Sequence, residues 1–236
     1  MDTLEEMIRK SNYIVFFGGA GVSTESGIPD FRGAKGLYKK REFPAEIMLS
    51  HTFYEEHPEE FQKFYLQHLV YPKAEPNPAH RALAHLEKMG KLKAVITQNI
   101  DGLHQKAGSK NVLELHGSIH RNTCQSCGRK YSLEDILKKY RDFRCICGGR
   151  VKPDVVLYEE PLDNEVFEAA IQSVSNCDMF IIGGTSLAVY PAASLIHYFK
   201  GKYLVLINQT ETPYDYLADL VIHAPIADVL SKWVEM

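Results

Sequence analysis

Six short apolar segments recur along the chain, and stretches long enough for helices separate most of them. Their length and their β-branched or aromatic content are typical of strands buried on both faces of a parallel sheet. The clearest helical stretch begins at the N-cap Asn77, has Pro78 in its first position and ends at the C-cap Gly90. The alternation predicts a doubly wound α/β fold. The predicted strands are 13–17, 94–97, 112–115, 179–182, 203–207 and 220–223.

Two stretches interrupt this alternation, at roughly 33–76 and 118–154. The first is aromatic and charged with helical spacing, and the second contains most of the cysteines. Both look like insertions into the α/β pattern. We expect them to form a smaller domain together, while residues 1–32, 77–117 and 155–236 form the larger one.

Four of the five cysteines form two close pairs. Two residues separate Cys124 from Cys127, one separates Cys145 from Cys147, and glycine follows each pair. Two such turns can bring four thiolates to a tetrahedron around zinc, with glycine allowing the backbone to turn beneath the metal. All-cysteine ligation leaves no open position for water, so the predicted zinc is structural; free thiols at chance spacing are the alternative. We expect the fifth, Cys177, to be a small core residue rather than a nucleophile.

The turn after the first predicted strand reads Gly-Gly-Ala-Gly at positions 18–21. In an open α/β sheet this turn lies at the ligand-binding edge, and glycines let backbone N–H groups approach a phosphate. The turn therefore suggests a nucleotide, although Thr24 replaces the third glycine of the usual dinucleotide fingerprint and a tight structural turn is the alternative. Asp30, Phe31 and Arg32 then offer an acid, an aromatic face and a guanidinium, which suit a charged aromatic ligand.

Polar residues also follow the second and third predicted strands. Gln98, Asn99 and Asp101 can grip a sugar or an amide, and His116 stands just past the third strand. Histidine titrates near neutral pH, so His116 is a candidate base for a hydroxyl proton. With ten histidines in the chain, a structural role is the alternative.

Charge and hydropathy exclude several classes of protein. The 27 basic and 30 acidic side chains give a net charge of −3, without the basic field that binds duplex nucleic acid. The N-terminal segment is acidic and amphipathic, unlike a signal peptide. Segment 179–199 lacks charged residues, but its glycines, proline and histidine indicate a strand, a loop and a helix rather than a membrane span. We expect a cytoplasmic protein with neither nucleic acid nor a membrane as partner.

Five motifs stand in a characteristic order. They are Gly-Ala-Gly-x-Ser-x-x-Ser-Gly-Ile-Pro-Asp-Phe-Arg at 19–32, Thr-Gln-Asn-Ile-Asp-x-Leu-His at 97–104, Leu-His-Gly at 115–117, the cysteine pairs, and Gly-Thr-Ser-Leu-x-Val-x-Pro-Ala at 184–192. Over nearly its whole length the chain resembles sirtuins of the bacterial or archaeal type, which are NAD-dependent protein lysine deacylases. The resemblance implies a Rossmann-like NAD-binding domain and a small domain of a helical module, 33–76, and a zinc ribbon, 118–154. NAD and an acyl-lysine peptide would enter the cleft between them from opposite sides.

The resemblance also implies a reaction and its residues. The acyl oxygen displaces nicotinamide from NAD, His116 relays a proton so that the ribose 2′-oxygen attacks the acyl group, and water completes the transfer to ADP-ribose. Asn99 and Asp101 belong to the same catalytic set. The implied peptide-binding residues are Val155, Val156 and Tyr158, and the metal ligands are Cys124, Cys127, Cys145 and Cys147. The implied cofactor-binding residues are Gly19, Ala20, Gly21, Thr24, Phe31, Arg32, Gln98, Asn99, Ile100, Asp101, Gly184, Thr185, Ser186, Asn208 and Ala227.

The chain departs from the usual sirtuin pattern at three places. The second cysteine pair has one intervening residue where two are commoner. Tyr158-Glu159-Glu160 replaces the Phe-Gly-Glu that many members carry near the peptide groove. Members that prefer acidic acyl groups carry Tyr-x-x-Arg in the helical module, where this chain has Tyr65 followed by His68, so we expect an uncharged acyl group.

Two other functions stay open at this point. A protein ADP-ribosyltransferase would use the same NAD site and differ only in the acceptor. A non-catalytic zinc-ribbon binding module would require neither His116 nor Asn99, and their presence beside a nucleotide loop disfavours it.

Overall fold

Two sheets organise the part of the chain that the computed structural model describes, residues 2–30, 44–139 and 142–234. The larger sheet contains six parallel strands, and the smaller sheet contains three antiparallel strands. The six parallel strands are β1 (Ile14–Gly18), β2 (Leu92–Thr97), β3 (Val112–Glu114), β7 (Met179–Gly183), β8 (Tyr203–Ile207) and β9 (Leu220–Ile222). The three antiparallel strands are β4 (Gly117–Cys124), β5 (Lys130–Ser132) and β6 (Val151–Val155).

The order of the large sheet is β3-β2-β1-β7-β8-β9. From β1 the strand order therefore extends to one side through β2 and β3 and to the other side through β7, β8 and β9. The order reverses between β1 and β7, and these two strands pair in parallel. All six predicted strands are present, with ends that differ from the prediction by at most two residues. The predicted doubly wound α/β fold is confirmed.

Side chains alternate along the strands to fill two apolar layers, one on each face of the large sheet. In β1, Ile14 and Phe16 face one layer, and Val15 and Phe17 face the other. Because both faces are covered, the strands read as nearly continuous apolar runs. The helices of the first layer are α1 (Leu4–Lys10), α5 (Pro78–Lys88), with α6 (Leu103–Ala107) beside it, and α9 (Ile226–Leu230). The second layer contains α8 (Asn164–Asn176) and the 3₁₀ helix Ala192–Tyr198.

The helix α5 begins where the sequence predicts. The Asn77 side chain accepts a hydrogen bond from the Ala79 N–H at 2.9 Å, and Pro78 occupies the first turn. At the other end, Met89 is the cap residue, and Gly90 follows it with a φ of +75°. Asn77 also donates its amide to the carbonyl of Val22 at 2.7 Å, which ties the start of α5 to the glycine-rich loop.

The small sheet packs with short helices around a third apolar core. Tyr54, Phe61 and Tyr65 of the helices meet Ile119 and Phe143 there. The helical spacing predicted for 33–76 is confirmed in its described part, 44–76. The helices of this region are α2 (Ala45–Met48), α3 (His51–Glu56), α4 (Pro58–His68) and α7 (Leu133–Lys138).

The charge-free segment 179–199 forms β7, a loop and the 3₁₀ helix Ala192–Tyr198, as predicted. Within the described residues, no helix combines the length and the apolarity that a membrane crossing requires.

Candidate active site

The loops that follow β1 and β7 meet at the point where the strand order reverses. The N–H of Gly21 donates to the carbonyl of Gly184 at 2.8 Å. A Cβ on Gly19 would lie 2.9 Å from the Cβ of Thr185, and one on Gly21 would lie 2.8 Å from the Cα of Gly184. Loop-to-loop packing thus requires these glycines, a reason that the sequence analysis did not give. A crevice at such a reversal is where open α/β sheets bind nucleotides.

Asn208, at the end of β8, holds the loop after β7. Its side chain accepts from the Thr185 N–H at 3.0 Å and donates to the Thr185 carbonyl at 2.8 Å. From the other side, the Gln98 amide donates to the Thr185 hydroxyl at 2.8 Å. The conformation of the loop is therefore fixed beside the exposed Ser186.

Asn99, Ser23 and Asp101 form a hydrogen-bonded chain between the loops that follow β1 and β2. The Asn99 amide donates to the Gly19 carbonyl at 3.0 Å and to the Ser23 hydroxyl at 3.1 Å. Ser23 donates in turn to Asp101 at 2.6 Å. Burial raises the pKa of Asp101, and the hydrogen bonds from Ser23 and the Leu103 N–H lower it in part.

Ser23 is a site residue that the sequence analysis missed. It is buried, and its hydroxyl is the link between Asn99 and Asp101. The only signal in the sequence was that Ser23 is a named position of the 19–32 motif, and this does not reveal its two partners.

His116 lies just past β3 and is half-buried. Its Nδ1 is 2.9 Å from the carbonyl oxygen of Gln98. Because a carbonyl can only accept, Nδ1 carries the proton of the neutral ring, and Nε2 keeps its lone pair. Burial lowers the pKa of His116, although the hydrogen bond to Gln98 opposes the shift. The ring is therefore neutral at pH 7 and can accept a proton at Nε2.

The segment after β6 connects His116 to the small helices. The Val156 N–H donates to the His116 carbonyl at 3.0 Å, and Val155 pairs with Gly117 of β4. Val155 is buried, whereas Val156 and Tyr158 are half-buried. The structure thus places the three predicted peptide-binding residues on one segment beside the predicted base.

The four paired cysteines form one cluster. The sulfurs of Cys124 and Cys147 are 3.6 Å apart, as are those of Cys127 and Cys145, and all four lie within 4.8 Å of one another. Sulfurs at about 2.3 Å from zinc stand about 3.8 Å apart at the corners of a tetrahedron, so this cluster fits the metal. The single intervening residue in the second pair does not prevent this geometry.

Local hydrogen bonds favour the thiolate form at Cys124 and Cys145, whereas the hydrogen bonds among the sulfurs raise the pKa of Cys147. The Cys147 N–H and then the Tyr131 hydroxyl lower the pKa of Cys145 to about 6. Gly149 leaves room for the sulfurs, because a Cβ there would come within 3.0 Å of the Cys124 sulfur. These features agree with a four-thiolate zinc site.

Several predicted cofactor residues lie farther from this network. Ala227 is buried in the first turn of α9, which packs on the 3₁₀ turn Ala20–Val22. The Thr24 hydroxyl donates to the Gly21 carbonyl at 3.0 Å. Ile100 packs against the core of the small helices and sheet. Phe31 and Arg32, also predicted to bind the cofactor, lie outside the described residues.

Cys177 is buried in the second apolar layer, and its thiol lies 3.2 Å from the Val174 carbonyl. Burial raises the pKa of Cys177 to about 12. A protonated, enclosed thiol is not a nucleophile, so the prediction of a core residue is confirmed.

Comparisons with known proteins agree with the sirtuin resemblance. The sequence profile described as "Sir2 family" matches residues 19–191. An NAD-dependent protein deacetylase of Clostridium tetani is 57% identical over 100% of this chain and 98% of its own length, and one of Clostridium perfringens is 58% identical over 100% and 98%.

Solved structures give the same result. A Sir2 enzyme that is 43% identical has a TM-score of 0.88 and covers 98% of this chain and 94% of its own. A variant of a Sir2 homologue in complex with ADP-ribose is 38% identical, with a TM-score of 0.91 and coverage of 99% and 95%. The chain therefore belongs to the Sir2 family.

Proposed function

We infer that the chain is an NAD-dependent protein lysine deacetylase, which transfers the acyl group of an acyl-lysine to ADP-ribose and releases nicotinamide. The observation that carries this inference is the unprotonated Nε2 of His116, set between the nucleotide-type crevice and the Val155–Val156 segment. Relatives named NAD-dependent protein deacetylase support it, as does a Sir2 structure with a deacetylated peptide and an acetyl-ADP-ribose.

The crevice between the loops after β1 and β7 suits NAD. When bound, NAD supplies an electrophilic ribose carbon and ribose hydroxyls that accept the acyl group. We propose that the cofactor-binding residues named above, Phe31 and Arg32 among them, contribute to NAD binding. The domain that holds it would comprise residues 1–32, 77–117 and 155–236.

We assign His116 the role of base, because its Nε2 can take up a hydroxyl proton while Nδ1 stays hydrogen-bonded to Gln98. Asn99 and Asp101 are assigned a positioning role near the ribose. Their shared contact with Ser23 holds the two loops in one arrangement, so that the reacting groups meet without large rearrangement.

Zinc has a structural role in this proposal. The four cysteine ligands leave no open position for a reacting group. The acyl-lysine peptide lies instead along Val155, Val156 and Tyr158. Support for peptide binding comes from a Sir2 structure with a propionylated peptide, 37% identical to this chain.

A neutral acyl group is the proposed substrate. Tyr65 of the Tyr-x-x-His sequence is 0% exposed and packs against Phe61 and Phe143, and its hydroxyl has no hydrogen-bond partner among the described residues. It therefore does not offer its hydroxyl to a carboxylate in this structure. We also propose a cytoplasmic location, since thiolate ligands for zinc persist where thiols stay reduced.

The test is nicotinamide release with an acetylated peptide and NAD. The function requires that release depends on the acetyl group and yields O-acetyl-ADP-ribose. ADP-ribose attached to a protein acceptor, found by mass spectrometry, would instead indicate the transferase alternative.

The His116→Ala variant tests the proposed base. Loss of a general base lowers turnover by about 10²–10⁴-fold, and we expect such a loss with NAD affinity and melting temperature retained. The matched control is His223→Ala, since His223 follows β9 at the opposite edge of the sheet from β3. Turnover near that of the unmodified chain would remove His116 from the mechanism.

A further inference from the structure

The segment after β6 carries a carboxylate, Glu159, in a backbone conformation that favours glycine. Its φ is +74°, in the left-handed region. This is the position where many sirtuins have glycine. The backbone cannot relax there easily, because the Tyr158 N–H donates to Leu49 and the Tyr158 carbonyl accepts from His51, both at 3.0 Å. The positive φ of Glu159 therefore costs conformational free energy, and the hydrogen bonds of Tyr158 hold the acidic residue in one place.

The carboxylate of Glu159 is ionised and held outward. It accepts hydrogen bonds from the Thr52 hydroxyl at 2.7 Å and from the Thr52 N–H at 2.9 Å. These two hydrogen bonds lower the pKa of Glu159. The residue is exposed, so its charge is accessible from solvent.

No lysine or arginine among residues 2–30, 44–139 and 142–234 compensates this charge at ion-pair distance. The ring of His51 lies near this carboxylate but contacts Glu160, at 2.9 Å. Neighbouring carboxylates differ, because each has a cation within 4 Å: Glu160 has Lys152, Asp154 has Lys130 and Glu55 has Arg150. Within the described part of the chain, Glu159 therefore carries an uncompensated negative charge on this face.

That charge lies close to where the peptide would run. Glu159 follows Val156 by three residues, so their Cα atoms are at most about 10 Å apart, and Val156 contacts His116 directly. Peptide residues are spaced at most about 3.5 Å apart, so neighbours of the acyl-lysine lie within the Debye length of about 30 Å that applies at 0.01 M salt.

Acylation removes the charge of the target lysine, so any charge selection must act on its neighbours. We propose that Glu159 makes the enzyme prefer acyl-lysine peptides with a lysine or arginine beside the acyl-lysine and discriminate against acidic neighbours. This inference rests on the proposed deacetylase function and specifies its substrate class.

The experiment compares acetyl-lysine peptides that differ only in one flanking residue, as Arg, Ala or Glu at each of the three positions on either side. The readout is kcat/KM, measured at low and at high salt for the unmodified enzyme, Glu159→Gln and Glu159→Gly. Glu168→Gln is the matched control, because it removes the same charge from an exposed position on α8.

At low ionic strength one charge about 10 Å away in water changes kcat/KM by about twofold, so the ratio of kcat/KM for the Arg-flanked peptide to that for the Glu-flanked peptide should fall by about fourfold in Glu159→Gln. We expect the same fall in Glu159→Gly, no fall in Glu168→Gln, and convergence of the ratios at high salt. An unchanged ratio in Glu159→Gln overturns the inference, as does a change in Glu159→Gly alone. If no peptide is deacetylated by the unmodified enzyme, the proposed function fails instead.

Discussion

Acidification below pH 6.5 is expected to destabilise the fold through two buried histidines, His80 of α5 and His104 of α6. Their rings are 4.7 Å apart and 0% and 1% exposed, and the ring of His104 packs against Phe16. His80 accepts one hydrogen bond, from the Asn77 N–H, whereas Nε2 of His80 and both nitrogens of His104 have no hydrogen-bond partner within the described part of the chain. Among the residues that the structure describes, no acidic group stabilises a positive charge here, and Arg81 opposes one at His80.

The loss can be worked out from the pKa. Burial, with a contribution from Arg81, lowers the pKa of His80 from 6.5 to about 4, and burial beside His80 lowers that of His104 well below 6.5. The unfolded chain therefore takes up protons first as the pH falls. The contribution of neutral His80 to the free energy of unfolding is complete above pH 6.5. It is lost progressively as the pH falls from 6.5 through about 4. For His80 alone, the free energy of unfolding drops by about 2.5 kcal/mol between pH 7.5 and 4.5.

The assay is urea unfolding followed by circular dichroism at several values of pH between 7.5 and 4.5. In His104→Leu the pH dependence should be visibly flatter, and stability at pH 7.5 should be retained, because the nitrogens of His104 form no hydrogen bonds that the leucine would lose. His223→Leu, at an exposed histidine, serves as the control. If the unmodified chain and His104→Leu lose stability equally over this range, the reasoning is refuted.

Three further outcomes are expected. The purified protein should contain about one zinc per chain by metal analysis, and Cys124→Ala should lower melting temperature and activity together; full activity without metal would contradict this. Deacetylation or depropionylation should exceed desuccinylation in kcat/KM. The reverse order would show that a cation binds the acidic acyl group, and Arg81 and Lys73 would be the first candidates. Because burial lowers the pKa of His116, the acidic limb of the pH–rate profile should lie below the ordinary 6.5, and a limb above it would exclude His116 as the base.

The large sheet was predictable because its signal is local. The central strands β1, β7 and β8 are buried throughout, so a run such as 179–183 is apolar at nearly every position and can be recognised from the sequence. The strands of the small sheet were not predicted individually. In β4 the exposed His120 and Arg121 interrupt the apolar pattern, and the neighbouring cysteines, expected to bind a metal, obscure it further. In this segment the spacing of the cysteines predicted more about the structure than the hydrophobic periodicity did.

The site was predictable as a set of motifs, but its internal contacts were not. Position 19 must be glycine because Thr185 packs against it. This contact arises from the pairing of β1 with β7, which lie far apart in the chain. Likewise, Ser23 gains its place between Asn99 and Asp101 only when the loops after β1 and β2 come together. Such contacts depend on the tertiary arrangement, and no local pattern in one sequence encodes them.

The strand β4 shows how zinc can support catalysis without touching a substrate. It begins at Gly117, directly after the proposed base, and ends at the proposed ligand Cys124, about 23 Å away for eight extended residues. At its start a Cβ on Gly117 would lie 2.0 Å from the Asp154 carbonyl oxygen, so the paired strands β4 and β6 are in close contact beside His116. At its other end the cysteine cluster fixes both strands, since Val151 of β6 pairs with Cys124. Release of the metal would free the far end of this pair of strands, and the position of His116 depends on the near end.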